Sequence, residues 1–216
     1  MSTVKSRVQS TAEEAVNSVS HGLALFAVIA VIAHMSVADS GHSRSVAGVV
    51  GTAVFAVAMM ILYLTSTLYH ALPAGRAKAI FLRLDLAAIY LFIAGTYTAF
   101  ALAAGNAESG WVRLGVIWSL ALTGAALKIL DCLSHPVLST SLYLAMGWVA
   151  LIGELPLVER APVTSVIWLV SGGIAYSVGV VFFVLDSRLR FAHAVWHAFV
   201  IVGSSCHFVA VVSSAV

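Results

Sequence analysis

Charged residues are scarce in this sequence. Asp, Glu, Lys and Arg make up 9% of the 216 residues, whereas 61% of the residues are hydrophobic. A soluble globular domain is usually about one quarter charged. The deficit excludes a soluble chain of this size and indicates an integral membrane protein. The formal net charge of +2 comes without a basic patch or a nucleic-acid motif, so nucleic acid is excluded as a partner.

Cysteine is also nearly absent. The two cysteines, Cys132 and Cys206, form no CxxC pair and are too few for a disulfide framework. A disulfide-stabilised scaffold and a thiol redox motif are therefore excluded. We interpret both residues as free thiols.

Long apolar segments fill the chain instead. Seven of them approach the roughly 20 residues that a membrane-spanning helix needs: 19–38, 46–71, 79–104, 111–130, 137–153, 162–185 and 191–212. In a bilayer the backbone must satisfy its own hydrogen bonds, and unbroken apolar runs do not alternate as barrel strands do. Short polar loops make neighbouring helices antiparallel. The pattern predicts an all-α, seven-transmembrane-helix bundle.

The distribution of Lys and Arg predicts the orientation of the bundle. With a cytoplasmic N-terminus, eight of the eleven basic residues fall on the inner side: Lys5, Arg7, Arg76, Lys78, Arg83, Lys128, Arg188 and Arg190. The outer side holds Arg44, Arg113 and Arg160. The positive-inside rule then places the N-terminus in the cytoplasm and the C-terminus outside. We expect a multi-pass protein of the cell membrane, the inner membrane in a bacterium.

The polar residues 1–18 precede the transmembrane domain, which we assign to residues 19–216. Thr11 and Glu14 have the spacing of a capping box, which predicts that this segment is partly helical and lies along the inner interface. A solvated lead-in to the first span is the alternative. The stretch 22–38 also resembles a cleavable signal sequence, but the long segment before it favours a retained helix.

Histidines interrupt the last apolar segment, in the stretch HAVWH. His193 and His197 are four residues apart, so both imidazoles lie on one helix face, at the spacing of two ligands of one metal ion. Two packed core histidines are the simpler alternative for such a pair alone. However, the predicted topology places His70, near the end of the second segment, at the same depth. Three histidines with an open position are the ligand set of a catalytic zinc, although copper, iron and nickel also accept imidazole.

Two further polar residues are predicted at this level. Asp85 lies at the start of the third segment, and Ser66 lies one turn before His70. A carboxylate beside a metal-coordinated water can hold the water or accept its proton, and a hydroxyl can assist. The alternatives are an ion pair of Asp85 with Arg83 or a helix cap, and a Ser66 hydroxyl bonded to its own helix backbone.

These motifs resemble those of the PAQR superfamily, the progestin and adipoQ receptors. The similarity rests on SxxxH at 66–70, the Leu84-Asp85 pair and HxxxH at 193–197, with further phrases similar to its hemolysin III branch, such as NSVSHG from Asn17. The resemblance covers nearly the whole chain. It implies seven helices with a cytoplasmic N-terminus, one zinc ion held by the three histidines, and Ser66 and Asp85 close to a zinc-coordinated water.

The resemblance also indicates a function. The receptor branch is associated with ceramidase-like hydrolysis, so we expect a zinc-dependent hydrolase that acts on a membrane lipid amide or ester. The long N-terminal domain of those receptors is absent from this sequence, so ligand sensing by it does not carry over. The alternatives are a non-enzymatic protein that senses or adjusts membrane state around a structural zinc, and a cytolysin, for which no pore-forming feature is visible.

Two more histidines fall in apolar segments. His21, in the NSVSHG phrase, lies near the inner end of the first span, where we expect it to support the site or to make a structural polar contact. His207 lies ten residues beyond His197, about 15 Å further along the helix at 1.5 Å per residue. It is therefore too far to share the metal, and we expect it to bond to a neighbouring helix.

Overall fold

The computed structural model of the protein describes residues 7–38, 45–103, 108–133, 135–153 and 161–214. All regular structure in these ranges is helical. The seven helices are α1 (Thr11–Ala38), α2 (Val46–Ala71), α3 (Arg76–Ala103), α4 (Glu108–Ile129), α5 (Pro136–Gly153), α6 (Val163–Leu185) and α7 (Ala192–Ser214). The predicted all-α architecture is confirmed, and most predicted helix ends lie within three residues of the observed ones.

Six of the seven helices are long and apolar enough to cross a membrane. The exception is α5, whose apolar stretch Val137–Val149 is shorter. Residues 154–160, which follow α5, lie outside the described residues. Large apolar side chains are exposed along the outer faces, for example Phe26, Val116 and Val181. Such a surface is suited to lipid rather than water.

Helix α1 begins eight residues before the predicted first span, because a capping box forms there. The Ser10 hydroxyl accepts a hydrogen bond from the Glu13 amide at 3.4 Å, and the Glu13 carboxylate accepts one from the Ser10 amide at 2.9 Å. This is the reciprocal S-x-x-E arrangement that satisfies free amides at a helix start. The prediction of Thr11 and Glu14 as the box was therefore wrong by one residue, and Glu14 instead contacts another helix.

Close packing joins α2 to α3 at Gly95. A Cβ atom built on Gly95 would come within 2.9 Å of the Ala58 Cβ, so only glycine lets the two helices approach this closely. The aromatic side chains of Phe55 and Phe92 then meet, with ring centroids 5.5 Å apart. These rings belong to the main apolar core, which α7 completes through Val200.

Helices α6 and α7 form a second close pair, which also explains His207. Gly172 leaves room for the His207 ring, because a Cβ on Gly172 would lie 2.3 Å from it. The His207 Nε2 atom lies 3.2 Å from the Leu169 carbonyl oxygen on α6. The expectation that His207 bonds to a neighbouring helix is thus confirmed.

The start of α1, the end of α2 and the start of α7 meet at one end of the bundle, together with the turn between α6 and α7. We call this the site end. Glu14 of α1 contacts both His70 at the end of α2 and Lys78 at the start of α3. Glu13 accepts a hydrogen bond from the Phe191 amide, just before α7. Polar residues from opposite ends of the sequence are therefore brought together.

Candidate metal centre

Three histidines converge at the site end. His70 comes from the last turn of α2, while His193 and His197 come from the first two turns of α7. Each of them offers a ring nitrogen, and these atoms all lie within 4.8 Å of one another. The ring centroids of His193 and His197 are each 5.0 Å from that of His70. His70 and His197 are buried.

His70 is oriented by a carboxylate of α1. Its Nδ1 atom lies 2.7 Å from a carboxylate oxygen of Glu14, whose other oxygen lies 2.9 Å from the Lys78 ammonium group. A carboxylate accepts hydrogen bonds only, so Nδ1 carries the hydrogen and Nε2 carries the lone pair of the neutral ring. The Nε2 atom is buried and has no hydrogen-bond partner within the described part of the chain.

His193 has a carboxylate of its own. The Asp186 carboxylate lies 3.3 Å from the His193 Nδ1 atom and accepts a hydrogen bond from the Gln9 side-chain amide at 2.8 Å. Burial favours the neutral form of Asp186, but the contacts with His193, Gln9 and Arg7 outweigh it and hold the pKa of this carboxyl below its ordinary value. Asp186 therefore faces His193 as an anion.

His197 is held by the backbone of α1. Its Nδ1 atom lies 3.2 Å from the Asn17 carbonyl oxygen and 3.1 Å from the Ser20 hydroxyl. The carbonyl oxygen again requires the hydrogen on Nδ1. The Asn17 side chain, fully buried, donates to Gln9, which in turn donates to Asp186. Hydrogen bonding thus connects the surroundings of His197 with those of His193.

The residues present fit a bound metal ion. The Nδ1 atoms of His70 and His197 face oxygen acceptors on α1, which leaves their Nε2 atoms as lone-pair donors, and the Asp186 carboxylate lies 3.3 Å from the His193 Nδ1 atom. Histidine ligands of metals usually donate their second ring N–H to a carboxylate or carbonyl in this way. Neutral imidazoles suit zinc, and also copper, iron or nickel. The buried Nε2 atom of His70, which has no partner among the described residues, is the observation that most favours such an ion.

A fourth histidine, His21 of α1, lies against the cluster. Its ring stacks on that of His197, with centroids 3.7 Å apart and planes 6° from parallel, and packs on Tyr63 at 5.1 Å. Neither of its ring nitrogens has a hydrogen-bond partner among the described residues, although both are buried. The prediction that His21 approaches the site is confirmed. The His21 ring covers one face of the His197 ring.

Asp85 and Ser66 face the same cavity as His193 and His197. Arg83 pairs with Asp131 at 2.9 Å, rather than with Asp85 as the alternative interpretation had it. The Ser66 hydroxyl lies near the Asp85 carboxyl without a hydrogen bond of ordinary geometry, and no described backbone carbonyl accepts from it. Among the described residues, Asp85 therefore does not pair with Arg83 and Ser66 does not bond to its own helix backbone, and both side chains line the cavity.

The cavity has a volume of about 380 Å³ and extends from the site end into the bundle between α2, α3, α5, α6 and α7. Near the histidines its wall includes Gln9 and Asp186. Further in, the wall is mostly apolar, with Phe92 and Leu169, and it reaches His207. A pocket of this size and composition, with a few polar groups at one end, is typical of a small-molecule site.

Sequence reasoning missed the acidic and amide residues that surround the histidines. Glu13, Asn17 and His21 are four residues apart and fully buried on one face of α1, and that spacing of polar residues was a visible signal. No comparable pattern marks Asp186 and Gln9, which contact each other across 177 positions of the chain.

The fold and the site define a class, namely helical membrane proteins with a histidine cluster at one end of the bundle. Sequence comparison identifies the family. The profile of the family described as Haemolysin-III related matches residues 9–208. This chain belongs to that family, and it is a multi-pass membrane protein.

Individual relatives agree with this assignment. The chain is 39% identical to Hemolysin-3 of Bacillus cereus over 91% of this chain and 89% of that protein. It is 37% identical to the Hemolysin-3 homolog of Bacillus subtilis (strain 168) over 91% of each. The human monocyte to macrophage differentiation factor is 26% identical over 73% of this chain and 67% of its own length. This more distant similarity fits the PAQR superfamily, as the motifs predict.

Proposed function

We propose that the protein is a zinc-dependent hydrolase of membrane lipids that cleaves an amide or an ester bond. The observation that supports this most is the cluster of His70, His193 and His197, of which His193 and His197 line a cavity that also contains the Asp85 carboxyl and the Ser66 hydroxyl. When bound there, zinc would supply a Lewis acid that brings the pKa of a coordinated water close to neutrality.

Asp85 is the proton carrier in this proposal. Its carboxylate oxygen accepts the proton of the water that adds to the substrate carbonyl carbon, as a general base. The same oxygen returns the proton to the leaving nitrogen or oxygen when the C–N or C–O bond breaks. The products are a carboxylic acid and an amine or an alcohol. The Ser66 hydroxyl, which has no partner among the described residues, donates a hydrogen bond to the substrate carbonyl.

The cavity favours a lipid as the substrate. Its apolar part would hold an acyl chain and exclude bulk water, while the polar groups at the site end would hold the bond to be cleaved. The family names of the relatives do not state a substrate. We infer a lipid amide or ester from the apolar wall and from the position of the cavity inside a membrane bundle.

The experiment combines metal analysis with an activity screen. Protein purified in detergent should contain about one zinc per chain, and the variants His70→Ala, His193→Ala and His197→Ala should lose it. The zinc-loaded protein should release fatty acid from a panel of lipid amides and esters. Stoichiometric zinc without turnover on any member of the panel would contradict the enzymatic part.

A structural zinc is the second candidate function. The cluster joins α2 to α7, and both helices also contact α1 through Glu14 and Asn17. An ion at this junction would hold three helices together, and the protein would sense or adjust membrane state without chemistry. In that case the histidine variants lose thermal stability, whereas a change at Asp85 leaves the cellular phenotype intact.

A further inference from the structure

Glu13 is the most heavily hydrogen-bonded side chain described at the site end, yet it touches none of the three histidines. Its carboxylate is 1% exposed. It accepts two bonds from Arg7, at 2.6 and 2.8 Å, and two from Ser10, at 2.8 and 2.9 Å. The fifth bond comes from the Phe191 amide at 2.8 Å, so α1 is tied to the turn before α7.

Phe191 has an unusual backbone conformation. Its φ angle is 58°, in the left-handed region that a bulky non-glycine residue avoids. Such a conformation persists only where the surroundings enforce it, and strain of this kind is typical of functional sites. The bond to Glu13 is a direct restraint on this residue, and His193 follows two positions later. The geometry of the turn therefore sets where α7 begins and where its first histidine points.

The other polar residues of this segment reach the remaining histidines. Arg7 adds a bond to the Leu189 carbonyl oxygen at 3.2 Å, in the same turn. Gln9 contacts Asp186, Glu14 contacts His70 and Asn17 contacts His197. A segment of 11 residues, 7–17, thus supplies an outer contact on the side of every histidine in the cluster.

We propose that residues 7–17 form a clamp that controls how firmly the metal ion is retained, and that Glu13 is its positioning residue, acting on His193 through the left-handed turn at Phe191. This inference rests on the proposed function in one respect, namely that the histidine cluster holds an ion. It does not depend on hydrolysis.

The test measures zinc release from the full-length protein in detergent. Zinc-loaded wild type, Glu13→Gln and the control Asp131→Asn are mixed with excess fluorescent chelator. Asp131 is a matched control for Glu13, because its carboxylate also accepts a hydrogen bond from an arginine, Arg83, but this pair is exposed. In Glu13→Gln the side-chain NH₂ group faces hydrogen-bond donors of Arg7, Ser10 or Phe191 and cannot accept from them. The clamp therefore loses part of its hydrogen bonding. Loss of an outer support typically weakens metal binding about 10- to 100-fold, and we expect release about tenfold faster, with the control close to wild type.

The variant Phe191→Gly tests whether Glu13 acts on His193 through the turn at residue 191. Glycine adopts a φ of 58° without strain, so Phe191→Gly makes the turn less dependent on Glu13. We expect Glu13→Gln to accelerate release much less in the Phe191→Gly background than in the wild type. Equal acceleration in both backgrounds would overturn the role of the turn. Should Glu13→Gln fail to fold, Arg7→Gln removes two of the same bonds and replaces it.

The remaining outcomes separate this proposal from the proposed function. A wild type that retains no stoichiometric zinc contradicts the proposed function and, with it, the clamp. A wild type that retains zinc beside a Glu13→Gln variant that releases it at the same rate contradicts the clamp alone. A lower unfolding temperature of the metal-free Glu13→Gln protein with unchanged zinc release would show that Glu13 only stabilises the fold.

Discussion

At the scale of single residues, the site divides into groups that face inward and groups that face outward. His70 and His197 direct their Nδ1 atoms to oxygen acceptors on α1, so their opposite nitrogens converge. Asp85 and Ser66 have no such outward bonds and face the cavity. In the proposed function the first group retains the ion and the second group carries out the chemistry, and the two roles can be tested separately.

Asp85→Asn should abolish turnover while zinc stays bound. The amide cannot accept a proton, and loss of a general base lowers the rate by about 10²- to 10⁴-fold. Lipid hydrolysis and zinc content should be measured on the same preparation. Hydrolysis at the wild-type rate would remove Asp85 from the mechanism, and an unchanged cellular phenotype without any activity would favour the structural zinc.

Glu14→Ala should weaken zinc binding about tenfold or more, within the 10- to 100-fold range expected for loss of a carboxylate that supports a histidine ligand. The cause is the loss of the 2.7 Å contact that orients His70. Competition with a chelator of known affinity measures the change. Arg83→Ala, which removes an exposed ion pair, is the control, and equal affinities of the two variants would contradict the role of Glu14.

At the scale of helices, the sequence predicted the spans well because each is a long apolar run. The first eight residues of α1 were the exception. Glu13 and Asn17 resemble solvated residues in the sequence, but in the structure both are fully buried. Their partners Phe191 and His197 lie 178 and 180 residues away along the chain, so the polar spacing on α1 could indicate a buried face but not the residues that it contacts. His70 could be predicted to share a site with the other histidines only because the predicted topology placed all three at the same depth in the membrane.

Helix packing provides a matched pair of glycine variants. Gly95→Ala places a methyl group 2.9 Å from Ala58 and should lower the stability by about 1–3 kcal/mol, as overpacking does. Gly115→Ala meets no atom within 4 Å and should be neutral, or stabilising by up to about 1 kcal/mol. Thermal unfolding in detergent compares them. A Gly95→Ala protein as stable as Gly115→Ala would show that the α2–α3 contact can relax.

At the scale of the whole molecule, the orientation in the membrane stays a prediction from loop charge. The basic residues Arg76 and Lys78 lie in the first turn of α3, and Arg188 and Arg190 lie in the turn before α7, all at the site end, so the same prediction places the histidine cluster on the cytoplasmic side. The packing of the helices is the same in either orientation, so the orientation needs a separate experiment.

The two native cysteines provide a test of this orientation. Cys132 is exposed in the turn between α4 and α5, whereas Cys206 is buried, so Cys206→Ala leaves one accessible thiol. With a cytoplasmic N-terminus, a membrane-impermeant maleimide should label Cys132 in inside-out vesicles and not in intact cells. Labelling of intact cells would reverse the orientation, and Cys132→Ala controls for background.

The position of Glu13 and Asn17 has a consequence for how the chain is made. These residues belong to α1, but their partners Phe191 and His197 lie just before α7 and within it. A chain is made from its N-terminus onward, so five further helices follow α1 before the Phe191 amide and the His197 ring can complete these contacts. A chain that stops before Phe191 lacks two of the three histidines and leaves the Glu13 carboxylate with four of its five hydrogen bonds.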